Sequence, residues 1–143
     1  MKTPVALSIL SLFALTALAA DKHNDSKEIQ GTWLPVQAQL SGEPMKEEVF
    51  KIITLRLDNG KYEVTAEKVD KGTYTMDRGA NPGTIDITGT EGPNVGKKIP
   101  AIYELHGDTL RICYNLAGGM RPTAFQSANG TQHFLVTYKR KKA

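Results

Sequence analysis

Apolar and polar residues alternate along most of the chain that follows residue 29. Residues 61–67 alternate at every position, and residues 53–57, 72–77 and 85–88 repeat the same pattern. Alternation with a period of two indicates β-strands that have one buried face and one solvated face. The pattern predicts strands near residues 32–41, 52–58, 61–68, 71–77, 84–90, 98–106, 109–115 and 131–140.

Turn-forming residues separate these predicted strands. Asn59-Gly60 is a dipeptide that favours a two-residue hairpin, and His106-Gly107-Asp108 separates the next well-defined pair of strands. One short helix is predicted at residues 44–50, where Met45 and Val49 share a face. The fold class is therefore predicted to be all-β: a small antiparallel barrel of about eight strands with one short helix. A two-sheet β-sandwich is the alternative.

Pro35 lies inside the first predicted strand. Proline has no backbone N–H to donate to a neighbouring strand, so it is confined to sheet edges and bulges. We therefore expect an edge position or a bulge at Pro35, which leaves open the face on which nearby Trp33 lies.

The first twenty residues differ in composition from the rest of the chain. Lys2 precedes an apolar stretch, and Ala17 and Ala19 occupy the −3 and −1 positions of a secretory signal peptide cleaved after Ala19. A membrane anchor is the alternative, because uncharged residues 3–20 come close to the about 20 residues that a spanning helix needs. We favour cleavage, which predicts a secreted or periplasmic protein. The predicted segments are a signal peptide at 1–19, a flexible tail at 20–28, the barrel domain at 29–140 and a basic tail at 141–143.

Charge adds little to this interpretation. The 143 residues include 18 Lys and Arg against 15 Asp and Glu, a formal net charge of +3. The densest basic run is Lys139-Arg140-Lys141-Lys142 at the end of the last predicted strand. We interpret it as a solvated terminus, with weak contact to an anionic surface as the alternative. Nucleic acid is not an expected partner.

The residues that usually carry chemistry are scattered. Cys113 is the only cysteine, which excludes an internal disulfide, and its strand-like surroundings predict a buried residue. A nucleophile or an intermolecular bridge remains the alternative role. The 3 histidines are far apart in the sequence, and no pair of acidic residues is placed in a predicted cleft. We predict no catalytic residue, no metal ligand, no cofactor and no enzymatic activity.

The start of the first predicted strand and the end of the last one resemble the lipocalin signature. Gly31-Thr32-Trp33 opens the first strand, and the last strand ends at the basic residue Arg140. In the lipocalin superfamily the tryptophan plugs one end of the barrel and a cation lies over its ring. The resemblance therefore implies that Trp33 and Arg140 pack together at one barrel end, where a cation over an indole is stabilising.

Further motifs resemble an uncharacterised lipocalin-like domain family that is expanded in planctomycetes and often exported. They extend over nearly all of the chain that follows the predicted signal peptide. The motifs lie at residues 31–33, 42–44, 71–74, 84–87, 91–97, 102–105, 107–114 and 121–125. The resemblance implies a lipocalin-like fold and export, and it implies no particular activity.

The candidate ligand-binding residues are aromatic residues at apolar positions of the strands, with Trp33 at one end. They are Tyr74, Tyr103, Tyr114, Phe134 and Tyr138. A hollow barrel would make them the lining of a pocket for a small apolar ligand. A solid barrel would make them its core, and the sequence slightly favours this second arrangement. The protein would then be an interaction or inhibitor module for an exported protein partner.

The glycine-rich loop at residues 115–122 completes the candidate site. It is predicted to hang over the barrel mouth, where Arg121 would contact a ligand. A structural role is favoured over ligand contact: Arg121 would pair with a carboxylate such as Glu104 or Asp108 and pin the loop.

Overall fold

The computed structural model describes residues 25–142, so the predicted signal peptide and residues 20–24 lie outside the described residues. Residues 25–142 form nine strands and two short helices. In chain order these are α1 (Asp25–Glu28), β1 (Gly31–Leu40), β2 (Glu43–Pro44), α2 (Glu47–Phe50), β3 (Thr54–Asp58), β4 (Lys61–Thr65), β5 (Val69–Asp77), β6 (Gly83–Glu91), β7 (Lys98–His106), β8 (Thr109–Asn115) and β9 (His133–Arg140).

Eight of the strands form a closed antiparallel barrel. Strands β3 to β8 each pair with the next strand in the chain, and β1 pairs with β3 on one side and with β9 on the other. The short strand β2 extends the sheet beside β1. The prediction of an all-β, lipocalin-like barrel is therefore confirmed, and the closed sheet replaces the alternative of a β-sandwich.

The turn between β3 and β4 shows how local sequence sets the strand order. Asn59 and Gly60 both have positive φ angles, of 47° and 79°. A two-residue turn with this backbone matches the right-handed twist of the strands that it joins. The hairpin predicted from Asn59-Gly60 is present, with Asp58 paired to Lys61.

Strand β1 contains the bulge that its proline predicts. The register with β9 shifts between Pro35 and Gln37. Strand β1 pairs with β3 only over residues 31–33, and α2 packs on β1 with the Phe50 side chain buried. The predicted helix at 44–50 begins later than expected, at Glu47, because Pro44 belongs to β2.

One end of the barrel is closed by Trp33, α1 and Arg140. The Trp33 side chain is fully buried, and its Nε1 donates a hydrogen bond to the Ile29 carbonyl at 2.8 Å. The Arg140 guanidinium lies 4.3 Å from the Trp33 ring centroid. It also donates to the carbonyl oxygens of Glu28, the last residue of α1, and of Gln30, which follows the helix. The packing implied by the lipocalin resemblance is therefore present.

The same contacts correct the predicted tail. Residues 25–28 were expected to be flexible, and they instead form α1 at the closed end. Arg140 donates to the Glu28 carbonyl, and Tyr103 Oη donates to Asp25 Oδ2 at 2.8 Å. The polar sequence of this segment suggested a solvated tail, because its partners lie far along the chain.

Arg140 is predicted to be the main support of the closed end. Replacing it with alanine (Arg140→Ala) removes the cation over Trp33 and leaves the carbonyls of Glu28 and Gln30 without their side-chain donor. We expect the free energy of unfolding to fall by about 2 kcal/mol. Denaturant titration followed by fluorescence measures this, since Trp33 is the only tryptophan.

The matched control is Lys141→Ala, which changes the next residue, exposed to solvent. We expect it to alter the free energy of unfolding by less than about 0.5 kcal/mol. Equal losses in the two variants would show that only net charge matters and would contradict the predicted role of Arg140.

Candidate ligand-binding site

The barrel contains a cavity of about 580 Å³. It opens at the end opposite Trp33, where exposed residues of α2 and of the β4–β5 turn, including Val49 and Lys68, form its edge. The volume falls within the range of roughly 300–1,000 Å³ that is usual for small-molecule sites. The solid core that the sequence slightly favoured is therefore not what the structure contains.

The cavity walls are mostly aliphatic. Inward positions of successive strands supply the lining, which includes Leu55, Leu57, Val64, Ile85, Ile87, Ile99 and Ile112. An eight-stranded barrel is wide enough either to be filled by its side chains or to hold one small ligand, and here the side chains leave a space between them. Because the inward positions of the alternating strands are apolar, the surface of this cavity is apolar.

The predicted aromatic residues divide into two groups. Tyr114, Phe134 and Tyr138 line the cavity, and the rings of Tyr114 and Phe134 stack with their centroids 5.8 Å apart. Trp33, Tyr74 and Tyr103 are buried in the core and are not among the lining residues. The Tyr103 hydroxyl is directed to α1 at the closed end. The structure therefore brings together three of these six residues in one site.

Arg121 lies outside the cavity. Its Nη1 donates to the Ala101 carbonyl at 2.9 Å, and its Nη2 pairs with Asp86 Oδ1 at 2.8 Å. Asp86 and the carbonyl belong to β6 and β7, so Arg121 fastens the loop to the outer face of the barrel. Of loop residues 116–132, all described by the structure, Leu116 alone lines the cavity.

The expected position of this loop and the expected partner of Arg121 are therefore corrected. The loop does not hang over the mouth. Glu104 pairs with Arg111 at 2.7 Å, and Asp108 pairs with Arg140 at 3.0 Å, so both proposed partners are engaged elsewhere. The structural role that the sequence favours for Arg121 is the one present, and its carboxylate partner is Asp86 of β6, which the sequence did not indicate.

Cys113 is buried beneath the same loop. Its side chain is fully inaccessible, and Sγ lies 3.4 Å from the Gln126 carbonyl. Burial raises the pKa of the Cys113 thiol, which disfavours the thiolate that nucleophilic chemistry requires. The prediction of a buried cysteine is confirmed.

A polar cluster at the cavity wall was missed by the sequence analysis. The Asp70 carboxylate is 8% exposed and accepts hydrogen bonds from Tyr62 Oη at 3.1 Å and from Asn94 Nδ2 at 2.8 Å. The Asn94 backbone N–H donates to its second oxygen at 3.1 Å. The sequence contains a signal for the inward position of Asp70, because Asp70, Gly72 and Tyr74 are spaced two residues apart and therefore share one face of the strand.

A second polar pair lies within the cavity lining. The hydroxyl oxygens of Tyr114 and Tyr138 are 2.9 Å apart. Both side chains are buried, with exposed fractions of 8% and 3%. Burial raises the pKa of both phenols, so each keeps its hydrogen at neutral pH. The sequence predicted both residues in the site, and their mutual hydrogen bond comes only from the tertiary structure.

Within residues 25–142, no group of three His, Cys, Asp or Glu side chains is arranged to hold a metal ion. The helices in this part of the chain are all too short or too polar to cross a membrane. In comparisons with protein-family models, curated proteins and solved structures, no match to the chain is found. The function must therefore be argued from the cavity itself.

The five tyrosines are expected to titrate late. Burial raises the pKa of every one of them above the ordinary value of about 10. Phenolate absorbance at 295 nm should therefore appear well above pH 10 in the native protein and near pH 10 in the unfolded chain. The folded state then holds more protons, so the free energy of unfolding should fall as the pH rises above 10. A native midpoint near 10 would contradict this prediction.

Arg121 is expected to control access to Cys113. Replacing it with glutamine (Arg121→Gln) removes the ion pair to Asp86, loosens the loop and should accelerate the reaction of Cys113 with a thiol reagent at least tenfold. The control is Met120→Ala, which changes the adjacent side chain, 84% exposed. Stopped-flow absorbance with a disulfide reagent measures both rates, and an unchanged rate in Arg121→Gln would show that other contacts hold the loop.

Proposed function

We propose that this chain is an exported lipocalin-like protein that binds one small apolar ligand in its barrel. The observation that carries the proposal is the cavity of about 580 Å³ with aliphatic walls and a mouth at the protein surface. Transfer of an apolar molecule from water into such a space is favourable by about 25 cal/mol for each Å² of apolar surface removed from water.

The barrel is also suited to bind without large rearrangement. Its sheet is closed by the pairing of β1 with β9, and its far end is sealed by Trp33. A cavity held open by continuous hydrogen-bonded walls loses little conformational entropy when a ligand enters. The alternative of an interaction or inhibitor module was tied to a solid barrel, and the cavity favours ligand binding over it.

Export and family membership belong to the same proposal. Export is supported by the apolar segment before Ala20, and membership of the lipocalin-like family by the motifs that begin at Gly31-Thr32-Trp33. The proposed role is binding or carriage outside the cytoplasm, and it assigns no catalytic residue.

Titration with the neutral fluorescent dye N-phenyl-1-naphthylamine tests whether the cavity binds apolar molecules. We expect saturable binding with one site per chain. The variant Ile87→Trp places a large side chain into the cavity from β6 and should weaken dye binding at least tenfold.

The control variant is Val36→Trp, which adds the same ring at a residue that is 49% exposed and does not line the cavity. It should leave the dye affinity unchanged within about threefold. Absence of dye binding to the wild type, or equal binding by the two variants, would contradict the proposal.

A further inference from the structure

The cavity lining contains a hydrogen-bond donor that has no acceptor among the described residues. In the Tyr114–Tyr138 pair one hydroxyl donates its hydrogen to the other. Each phenol carries one hydrogen, so the accepting hydroxyl retains a hydrogen of its own. Neither hydroxyl makes another hydrogen bond within residues 25–142. A buried donor without an acceptor is unfavourable, and a ligand that supplies the acceptor would remove that penalty.

The other buried polar side chains of the lining, Tyr62 and Asp70, are already engaged. Tyr62 Oη donates to Asp70, and both Asp70 oxygens accept from Asn94 as well. The Asp70 carboxylate thus has three donors from the protein, which leaves little reason for it to bind a ligand amine. Among the buried polar groups of the lining, the tyrosine pair is therefore the contact that the protein leaves for a ligand.

The charges that line the cavity disfavour an anionic ligand. Among the described lining residues the acids are Glu67 and Asp70, and the single cation is Lys68, which is exposed at the mouth. A carboxylate moved into the cavity would lose its hydration without meeting a buried cation. The lining therefore selects for a neutral molecule.

We propose that the ligand is a neutral molecule with an apolar body and one hydrogen-bond acceptor, such as a ketone or ester carbonyl, held by the Tyr114–Tyr138 hydroxyl pair. This inference rests on the proposed function and names the chemical class of its ligand. The aliphatic walls hold the apolar body, and the free hydroxyl hydrogen fixes the position of the acceptor.

Burial of the two rings supports the role of the pair as a donor. It raises the pKa of Tyr114 and Tyr138, so the hydrogen that the ligand would accept is present throughout the physiological range. Acceptor recognition should therefore show no pH dependence between about pH 6 and 9.

Displacement of bound N-phenyl-1-naphthylamine by three molecules of equal chain length tests the inference. The competitors are 2-nonanone, nonanoate and nonylamine. We expect 2-nonanone to displace the dye at concentrations at least tenfold lower than either charged competitor. A preference for the carboxylate or for the amine would overturn the inference.

Tyrosine variants give an independent test. In the double variant Tyr114→Phe with Tyr138→Phe, the affinity for 2-nonanone relative to the affinity for the dye should fall about tenfold. At least one single variant should retain the ketone affinity, because its remaining hydroxyl still carries a hydrogen. Tyr74→Phe is the control, since Tyr74 is buried outside the lining. An unchanged ratio of the two affinities in the double variant would overturn the inference.

The two proposals fail in different ways. If the wild type does not bind the dye, the proposed function fails and the ligand class fails with it. If the dye binds and the three competitors are equivalent, only the ligand class is overturned. The competitor series on the wild type tests the proposed ligand class even if the double variant does not fold.

Discussion

The pairing of β1 with β9 converts the sheet into a closed barrel, and the rest of the structure depends on it. The register places Trp33 opposite Arg140 and Leu40 opposite Phe134. The first pair brings a cation to the indole at one end, where α1 also docks. The second pair brings Phe134 to the mouth, where it lines the cavity. One register thus determines a sealed end and an open end.

Closure also explains how polar groups are tolerated inside the barrel. Strands β4 and β8 lie on opposite walls, so Tyr62 and Tyr114 both point into one interior. Asp70 is stabilised by three donors from Tyr62 and Asn94, which compensate for its loss of hydration. The tyrosine pair is satisfied only in part. This difference makes Asp70 a structural group and the hydroxyl pair a candidate recognition group.

The outer face of the barrel is not uniformly solvated. Ile102 and Cys113 are paired on β7 and β8, face outward and are nevertheless buried, and loop 116–132 contacts Cys113 through the Gln126 carbonyl. Arg121 fastens one part of this loop through Asp86, and the Arg111 guanidinium lies 4.2 Å from the Phe125 ring centroid in another part. The loop that was expected over the mouth therefore packs against the outer side of the barrel instead.

Local sequence by itself determined the strands through hydrophobic alternation, the hairpin through Asn59-Gly60 and the bulge through Pro35. Each of these depends on neighbours in the sequence or on which face a residue occupies. The hollow interior, the Tyr114–Tyr138 bond and the Arg121–Asp86 pair were decided only by the tertiary structure. The last two join residues 24 and 35 positions apart. A period of two shows that a side chain points inward, but barrel width and register decide which side chain it meets there.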